Sequence, residues 1–342
     1  MTETADRRSA SAPPLSVPTT AQTATIVDPD PGPVPRRAIG SSGLEVFPIA
    51  LGGNAFGWTA NAGESEAVLD AYRYHGGDMV DTADSYAGGR SEIIIGNWMR
   101  KRRNRDRMIV ATKVGKSPDH PGVRASAITA AVHDSLRRLR TDRIDMLYLH
   151  IDDPEVEFEE TLLAVDELIR AGAVRHFGAA HHPGTRIIEA RIASAQLGVA
   201  PMTALQNHYS LVFRQEYETQ LARIAHAQGL GVLPRFALAG GFLAGRFRSR
   251  ADLTAAARRG ALGRVVTRQG LQVLAAVDRI ATELDANPAT VSLAWLLSRP
   301  DIVAPVVSAT SPDEVADLAA AASMRLTRRQ LTELDRASRP FA

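Results

Sequence analysis

From Arg36 onward, short apolar runs alternate with longer stretches in which apolar residues return every three or four positions. The runs have strand length: Ile49 to Leu51, Met79-Val80, Met108 to Ala111, Ile144 to Leu149, Val174 to Phe177, Met202 to Leu205, Gly231 to Leu233 and Ile302 to Val307. The stretches between them read as helices, because Phe158, Leu162, Val165 and Ile169 share one helical face, as do Ile128, Val132, Leu136 and Leu139. Alternating strands and helices call for a parallel sheet, and with eight strand candidates it most naturally closes into a (β/α)8 TIM barrel. An open doubly wound sheet is the alternative. Against it, the Gly-rich stretch Leu51 to Gly57 lacks G-x-G-x-x-G spacing. A short N-terminal hairpin is expected from Arg37-Ala38-Ile39 and Leu44 to Ile49 about a turn at Gly40 to Gly43. Asn287-Pro288, Ser311-Pro312 and Thr327 read as helix starts. The Gly240 to Arg268 region has no strand of its own, and long loops at the top of a barrel usually serve binding.

Composition narrows the chemistry. Residues 1 to 35, rich in Pro, Ser, Thr and Ala and without an aromatic residue, are expected to be a disordered tail, leaving residues 36 to 342 for the barrel. The hydrophobic fraction of 45% with 23% charged residues supplies a sizeable core. Cys 0 excludes disulfides, thiolate metal sites, iron–sulfur clusters and cysteine nucleophiles. No apolar run is long enough for a secretory signal or a membrane helix, so a soluble, cytoplasmic protein without a membrane partner is expected. A formal charge of +2 points to no nucleic-acid partner. The basic cluster Arg100-Lys101-Arg102-Arg103, with Arg105 and Arg107, lacks interleaved aromatics and reads as a solvated helix end. His176, His181 and His182 sit too close on one strand end to converge on a metal, and no metal is expected. The oligomeric state is left open.

The informative pattern is positional. Asp81, Lys113, His150 and Gln206 each follow a strand candidate, on the face where barrel active sites are built. Tyr86, five residues past Asp81 in a Gly-containing loop, can reach back over the same mouth. Taken singly, Asp81 could be a helix cap, His150 a solvated group and Tyr86 a rim aromatic. Together they suggest proton transfer to a carbonyl. A free phenol holds its proton too tightly at neutral pH; a nearby ammonium stabilises the phenolate, and a carboxylate keeps that ammonium charged and placed. A neutral imidazole can orient the carbonyl oxygen. None of these groups can supply a hydride, so a nicotinamide cofactor is expected.

At these residues the sequence resembles the aldo-keto reductase superfamily, specifically its bacterial branch related to potassium-channel β subunits. The resemblance runs from about Gly43 to Leu334 and is carried by Asp81 to Tyr86 with Gly89 to Glu92, and by Ala111 to Gly115. Arg143 to His150, Gln206 to Leu211 and Leu238 to Gly245 carry the rest. It implies a barrel that reduces a small aldehyde or ketone with NADPH. Tyr86 would be the general acid, Lys113 its cationic partner, Asp81 the group holding the lysine and His150 the orienting residue. The same resemblance implies that Asp81, Gln206 and His181 meet the nicotinamide end, although Ala180-His181 stands where a Ser-Asn pair usually grips the carboxamide. Arg235 replaces the aromatic residue that stacks on the ring, and its charge disfavours the oxidised cofactor. Leu238 and Gly240 would offer backbone donors to the pyrophosphate, with Arg246 either clamping it or solvated. Ser308 and Thr310, before the last barrel helix, would meet the adenosine phosphate. Glu314 stands where a basic or amide side chain commonly meets the 2′-phosphate, so NADH is the alternative to NADPH. Two further readings stay open: a nicotinamide-sensing module with little turnover, and a reductase of a sugar or natural-product intermediate.

Overall fold

The computed structural model describes residues 34–253 and 259–342. Most of the expected tail (residues 1–33) and the middle of the long loop (254–258) lie outside the described residues. The hairpin pairs β1 (Arg37–Ala38) with β2 (Glu45–Val46), antiparallel. The barrel strands are β3 (Ala50–Gly52), β4 (Met79–Asp81), β5 (Ile109–Val114) and β6 (Ile144–Leu149). They continue as β7 (Val174–Ala180), β8 (Ala204–Gln206), β9 (Gly231–Val232) and β10 (Val306–Val307). All run parallel in the order β10-β3-β4-β5-β6-β7-β8-β9. The ends of the sheet meet through a parallel bridge between Val232 and Ile302 and through Val306 N donating to Pro234 O at 2.8 Å. This is the expected (β/α)8 barrel, not the open sheet.

The helices are α1 (Ala62–Tyr74), α2 (Arg90–Arg102), α3 (Ala125–Leu139), α4 (Phe158–Arg170), α5 (Gly184–Leu197) and α6 (Ala222–Ala227). After them come α7 (Arg259–Leu262), α8 (Arg268–Glu283), α9 (Pro288–Leu297), α10 (Pro312–Ala320) and α11 (Arg328–Ser338). Their starts follow local chemistry. Asn287 accepts from Ala289 N ahead of Pro288, and Thr327 forms a capping box with Gln330, contacts worth about 1 kcal/mol each. Ser311 departs from expectation, since it precedes Pro312 but its side chain caps nothing.

Two apolar layers hold the fold. One lies between sheet and helices, around Trp98, Trp295, Tyr72 and Phe177. The other fills the lumen, where Ala50, Ala111, Ala180 and Ala204 leave room for Met79, Met146, Tyr148 and Leu233. Ile39 and Val46 of the hairpin belong to this second layer and plug the floor. Gly40 makes that seating possible: its φ is +49°, and a Cβ there would fall 2.4 Å from Thr203 O. Around the basic cluster, Lys101 pairs with Glu66 at 2.6 Å and Arg105 with Asp145 at 2.7 Å. Among the described residues no helix is long and apolar enough to cross a membrane, and no three acids or histidines are grouped to hold a metal ion.

Candidate active site

Strand side chains alternate faces, so a residue two positions beyond a lumen residue also points inward. Met79 leads to Asp81, Ala111 to Lys113, Tyr148 to His150, Ala204 to Gln206 and Leu233 to Arg235. Strand parity therefore gathers five polar groups at the carboxyl ends of the strands, above an apolar lumen.

Lys113, fully buried, donates to Asp81 Oδ2 at 2.5 Å and to Thr82 O at 2.9 Å, and reaches Tyr86 Oη at 3.3 Å. Three acceptors saturate the ammonium. Burial alone would favour the neutral amine, but Asp81 and Tyr86 outweigh it and hold Lys113 above its ordinary range. The other Asp81 oxygen accepts from Gln206 Nε2 at 2.8 Å. Asp81 is thus a buried counter-ion and not a helix cap. The loop carrying Tyr86 is tied down by Asp84 N donating to Lys113 O at 3.0 Å and by the Ser91 hydroxyl donating to Gly53 O at 2.8 Å. Positive φ at Ala87, Gly88 and Gly89 turns the chain directly into α2.

His150 is buried, with its ring edge-on to Tyr86 at 6.0 Å between centroids and stacked on His181 at 6.1 Å. Burial, then the Lys113 charge, push its pKa well below the usual imidazole range, so the ring is neutral. A neutral imidazole beside a phenol can orient a carbonyl oxygen without competing as the acid.

A cavity of ≈ 810 Å³ opens over Asp81, Tyr86, Gln206 and Arg235, while Lys113 and His150 lie behind its lining. Its inner end is lined by Asp81, Tyr86, Gln206 and Arg235, its middle by Leu238, Gly240 and Arg246, and its far end by Ser308, Thr310 and Glu314. Among the positions expected to meet a cofactor, His181 alone is absent from the lining. Its ring instead accepts from Arg235 Nη1 at 2.6 Å, and the same nitrogen reaches His208 Nε2 at 3.0 Å.

The far end differs from expectation in one respect. Glu314 folds back to accept from Thr310 N at 3.0 Å and from its hydroxyl at 3.2 Å, and pairs with Arg246 at 2.6 Å. An internal carboxylate thus occupies the start of α10, where a phosphate was expected. Arg246 is engaged with it and is neither a free clamp nor simply solvated. Near the start of α10 the carboxylate also meets the positive end of the helix dipole.

Sequence reasoning passed over several residues of this site. Asn54, whose Oδ1 accepts from Ser308 Oγ, lies within the Gly-rich stretch Leu51 to Gly57. Asp317 accepts from Asn287 Nδ2 at 2.9 Å beside Glu314. Phe236 lines the cavity and stacks on His208 at 5.4 Å. The parity that places Gln206 and Arg235 was a usable signal for His208, two residues past Gln206. Nothing comparable marks Asp317.

The model for the aldo/keto reductase family matches residues 48–339. The chain is similar to the aldo-keto reductase ausK of Aspergillus calidoustus, 30% identical over 336 residues that cover 89% of this chain and 84% of that protein. It is similar to the norsolorinic acid reductase of Aspergillus flavus, 27% identical over 319 residues covering 88% and 80%. It is also similar to an aryl-alcohol dehydrogenase of Pestalotiopsis microspora, 29% identical over 312 residues covering 86% and 80%.

Proposed function

The chain belongs to the aldo/keto reductase family, and on that premise we propose that it reduces a small aromatic aldehyde or ketone to the alcohol with a nicotinamide cofactor. The single observation that carries this is the buried chain Asp81–Lys113–Tyr86, which ends at the cavity wall. In this reading Tyr86 delivers the proton to the carbonyl oxygen while Lys113 stabilises the phenolate left behind. Asp81 keeps the ammonium charged and in place, and neutral His150 orients the carbonyl. A bound nicotinamide would supply the hydride, which no side chain here can.

The residues present fit such a cofactor. The cavity falls within the roughly 300–1,000 Å³ of cofactor sites. Gln206 offers a carboxamide at the inner end, the backbone of Gly240 at φ +69° faces the middle, and Ser308, Thr310 and Asp317 are polar at the far end. An aromatic substrate suits Phe236 and the exposed Trp58 on the cavity wall, and accords with the names of the similar aryl-alcohol dehydrogenase and norsolorinic acid reductase. NADPH is the family's general cofactor. Glu314 and Asp317 favour NADH as the second choice, since an acid there suits a ribose hydroxyl better than a 2′-phosphate.

Loss of NADPH absorbance with a panel of aromatic aldehydes and ketones tests this. Tyr86→Phe should lower turnover by about 10²–10⁴ while fluorescence titration still detects cofactor binding. Unchanged turnover in Tyr86→Phe would refute the assignment. A second reading, a cofactor-sensing module akin to the potassium-channel β-subunit branch, is favoured by the Arg235–His181 contact at the nicotinamide end. Tight NADPH binding by the unaltered protein with no carbonyl turned over would select it.

A further inference from the structure

Arg235 carries an unusual set of partners. Among the described residues its side chain bonds to imidazoles only, with Nη1 donating to His181 and to His208. Both rings are neutral, because burial, then the Arg235 charge itself, push His181 down to about 3 and His208 to about 4. They hold the guanidinium in place without cancelling its charge. A second cation, Lys116, follows β5 on an exposed position and acts on Arg235 and on all three imidazoles, His150 included. Partial burial, then the Arg235 charge, hold Lys116 below its ordinary value. The nearest acid of the catalytic group, Asp81, is already matched by Lys113, and Glu314 at the far end is matched by Arg246.

Among the described residues, therefore, no side chain bonded to Arg235 balances its positive charge. Nη1 is spent on the histidines, and among the described residues Nε and Nη2, the parallel pair of donors on the other edge, make no hydrogen bond. A planar carboxylate matches that pair. Beside it Phe236 lines the cavity, stacked on His208 at 5.4 Å and backed by Phe213 edge-on at 5.4 Å. Arg235 and Tyr86 both line this cavity, so a carboxylate carried by the carbonyl substrate has a cation to meet there.

We propose that the substrate is an aromatic aldehyde or ketone bearing an ionised carboxylate, which Arg235 receives with support from Lys116 while the carbonyl meets Tyr86. This rests on the reductase reading above and narrows its substrate class.

The test compares 4-formylbenzoate with its methyl ester on the full chain with NADPH. The acid should have a kcat/KM at least about tenfold higher, equivalent to about 1.4 kcal/mol. The acid-to-ester ratio should fall towards one in Arg235→Gln and fall in part in Arg235→Lys, which keeps the charge without the paired donors. Lys116→Gln, at an exposed position, should lower the ratio through KM and soften its dependence on salt. An ester reduced as well as the acid, or a ratio unmoved by Arg235→Gln, overturns the proposal. Calorimetric binding of benzoate and of benzamide to the NADPH-loaded protein keeps the test independent of turnover. Benzoate should bind at least about tenfold more tightly, and Arg235→Gln should erase the difference. If neither aldehyde is reduced, the reductase reading fails by itself, while equal affinities for benzoate and benzamide overturn the anion site.

Discussion

Asp84 offers a sharp test of the electrostatics beneath the Tyr86 loop. It is 3% exposed, and neither carboxylate oxygen makes a hydrogen bond of normal geometry among the described residues. Burial, then the charge of Glu92, raise it from 3.8 to about 6. Glu92 cannot relax away, because its own oxygens accept from Arg138 Nε and from Thr112 Oγ1, both at 2.6 Å. A carboxyl raised on folding contributes stability that is present in full below the unfolded value and lost as pH rises through the folded one. A shift of about two units corresponds to roughly 3 kcal/mol lost between about pH 4 and pH 7. Asp84→Asn removes the titration. The buried amide's own unmet donors take back a pH-independent share of about 1–2 kcal/mol. The stability difference between Asp84→Asn and the unaltered chain should therefore grow in favour of the variant by roughly 3 kcal/mol from pH 4 to pH 7.5. At roughly 2 °C per kcal/mol for a barrel of this size, Tm curves followed by circular dichroism should separate by about 6 °C over that span. Parallel curves, or a separation that grows towards low pH, would refute the reasoning.

Two other substitutions probe the site from different sides. Lys113→Met leaves Asp81 buried with Gln206 as its remaining partner, so it should cost about 3–5 kcal/mol in chemical denaturation and abolish turnover. Adding Asp81→Asn to it should recover part of the stability and none of the turnover; recovery of both would mean that the pair serves the fold alone. At the far end, Glu314→Gln removes the negative charge that engages Arg246, so the ratio of kcat/KM with NADPH to that with NADH should rise about tenfold. An unchanged ratio would mean that neither residue meets the cofactor's 2′ position.

The parts of this molecule that read directly from the sequence are those governed by short-range periodicity. Strand parity brings Asp81, Lys113, His150 and Gln206 together, and it needs only the strand positions and an alternation of two. Helix starts at Asn287 and Thr327 likewise follow from a residue and its neighbours. The far end did not read this way, because Ser311-Pro312-Asp313-Glu314 carries the spacing of a capping box yet Glu314 bonds one residue further back, at Thr310 N. Spacing identifies the helix start; the rotamer and the pull of Arg246, from a loop more than sixty residues earlier, decide what the carboxylate touches. Whether a helix end is open to a phosphate is therefore a tertiary property.

The inner end makes the same point with more consequence. Ala180-His181 and Arg235, set against the family's usual residues, look like two separate losses of nicotinamide contacts. In the fold they are one structure, since the Arg235 guanidinium lies within 2.6 Å of the His181 ring. The backbone fits that contact. His181 at φ +62° and Phe236 at φ +59° both take the left-handed conformation, which costs a non-glycine residue of order 1 kcal/mol. Strain of that size at His181 and at the residue after Arg235 persists only where surrounding packing enforces it. A change at Arg235 alone would leave the partly buried His181 ring without this bond, and a change at His181 alone would leave the guanidinium with His208 only, so the two departures are coupled. Coupling of this kind argues against decay of an ordinary reductase pocket and for a mouth rebuilt around a fixed cation, and a fixed cation beside a reacting carbonyl has its simplest use in an acidic substrate.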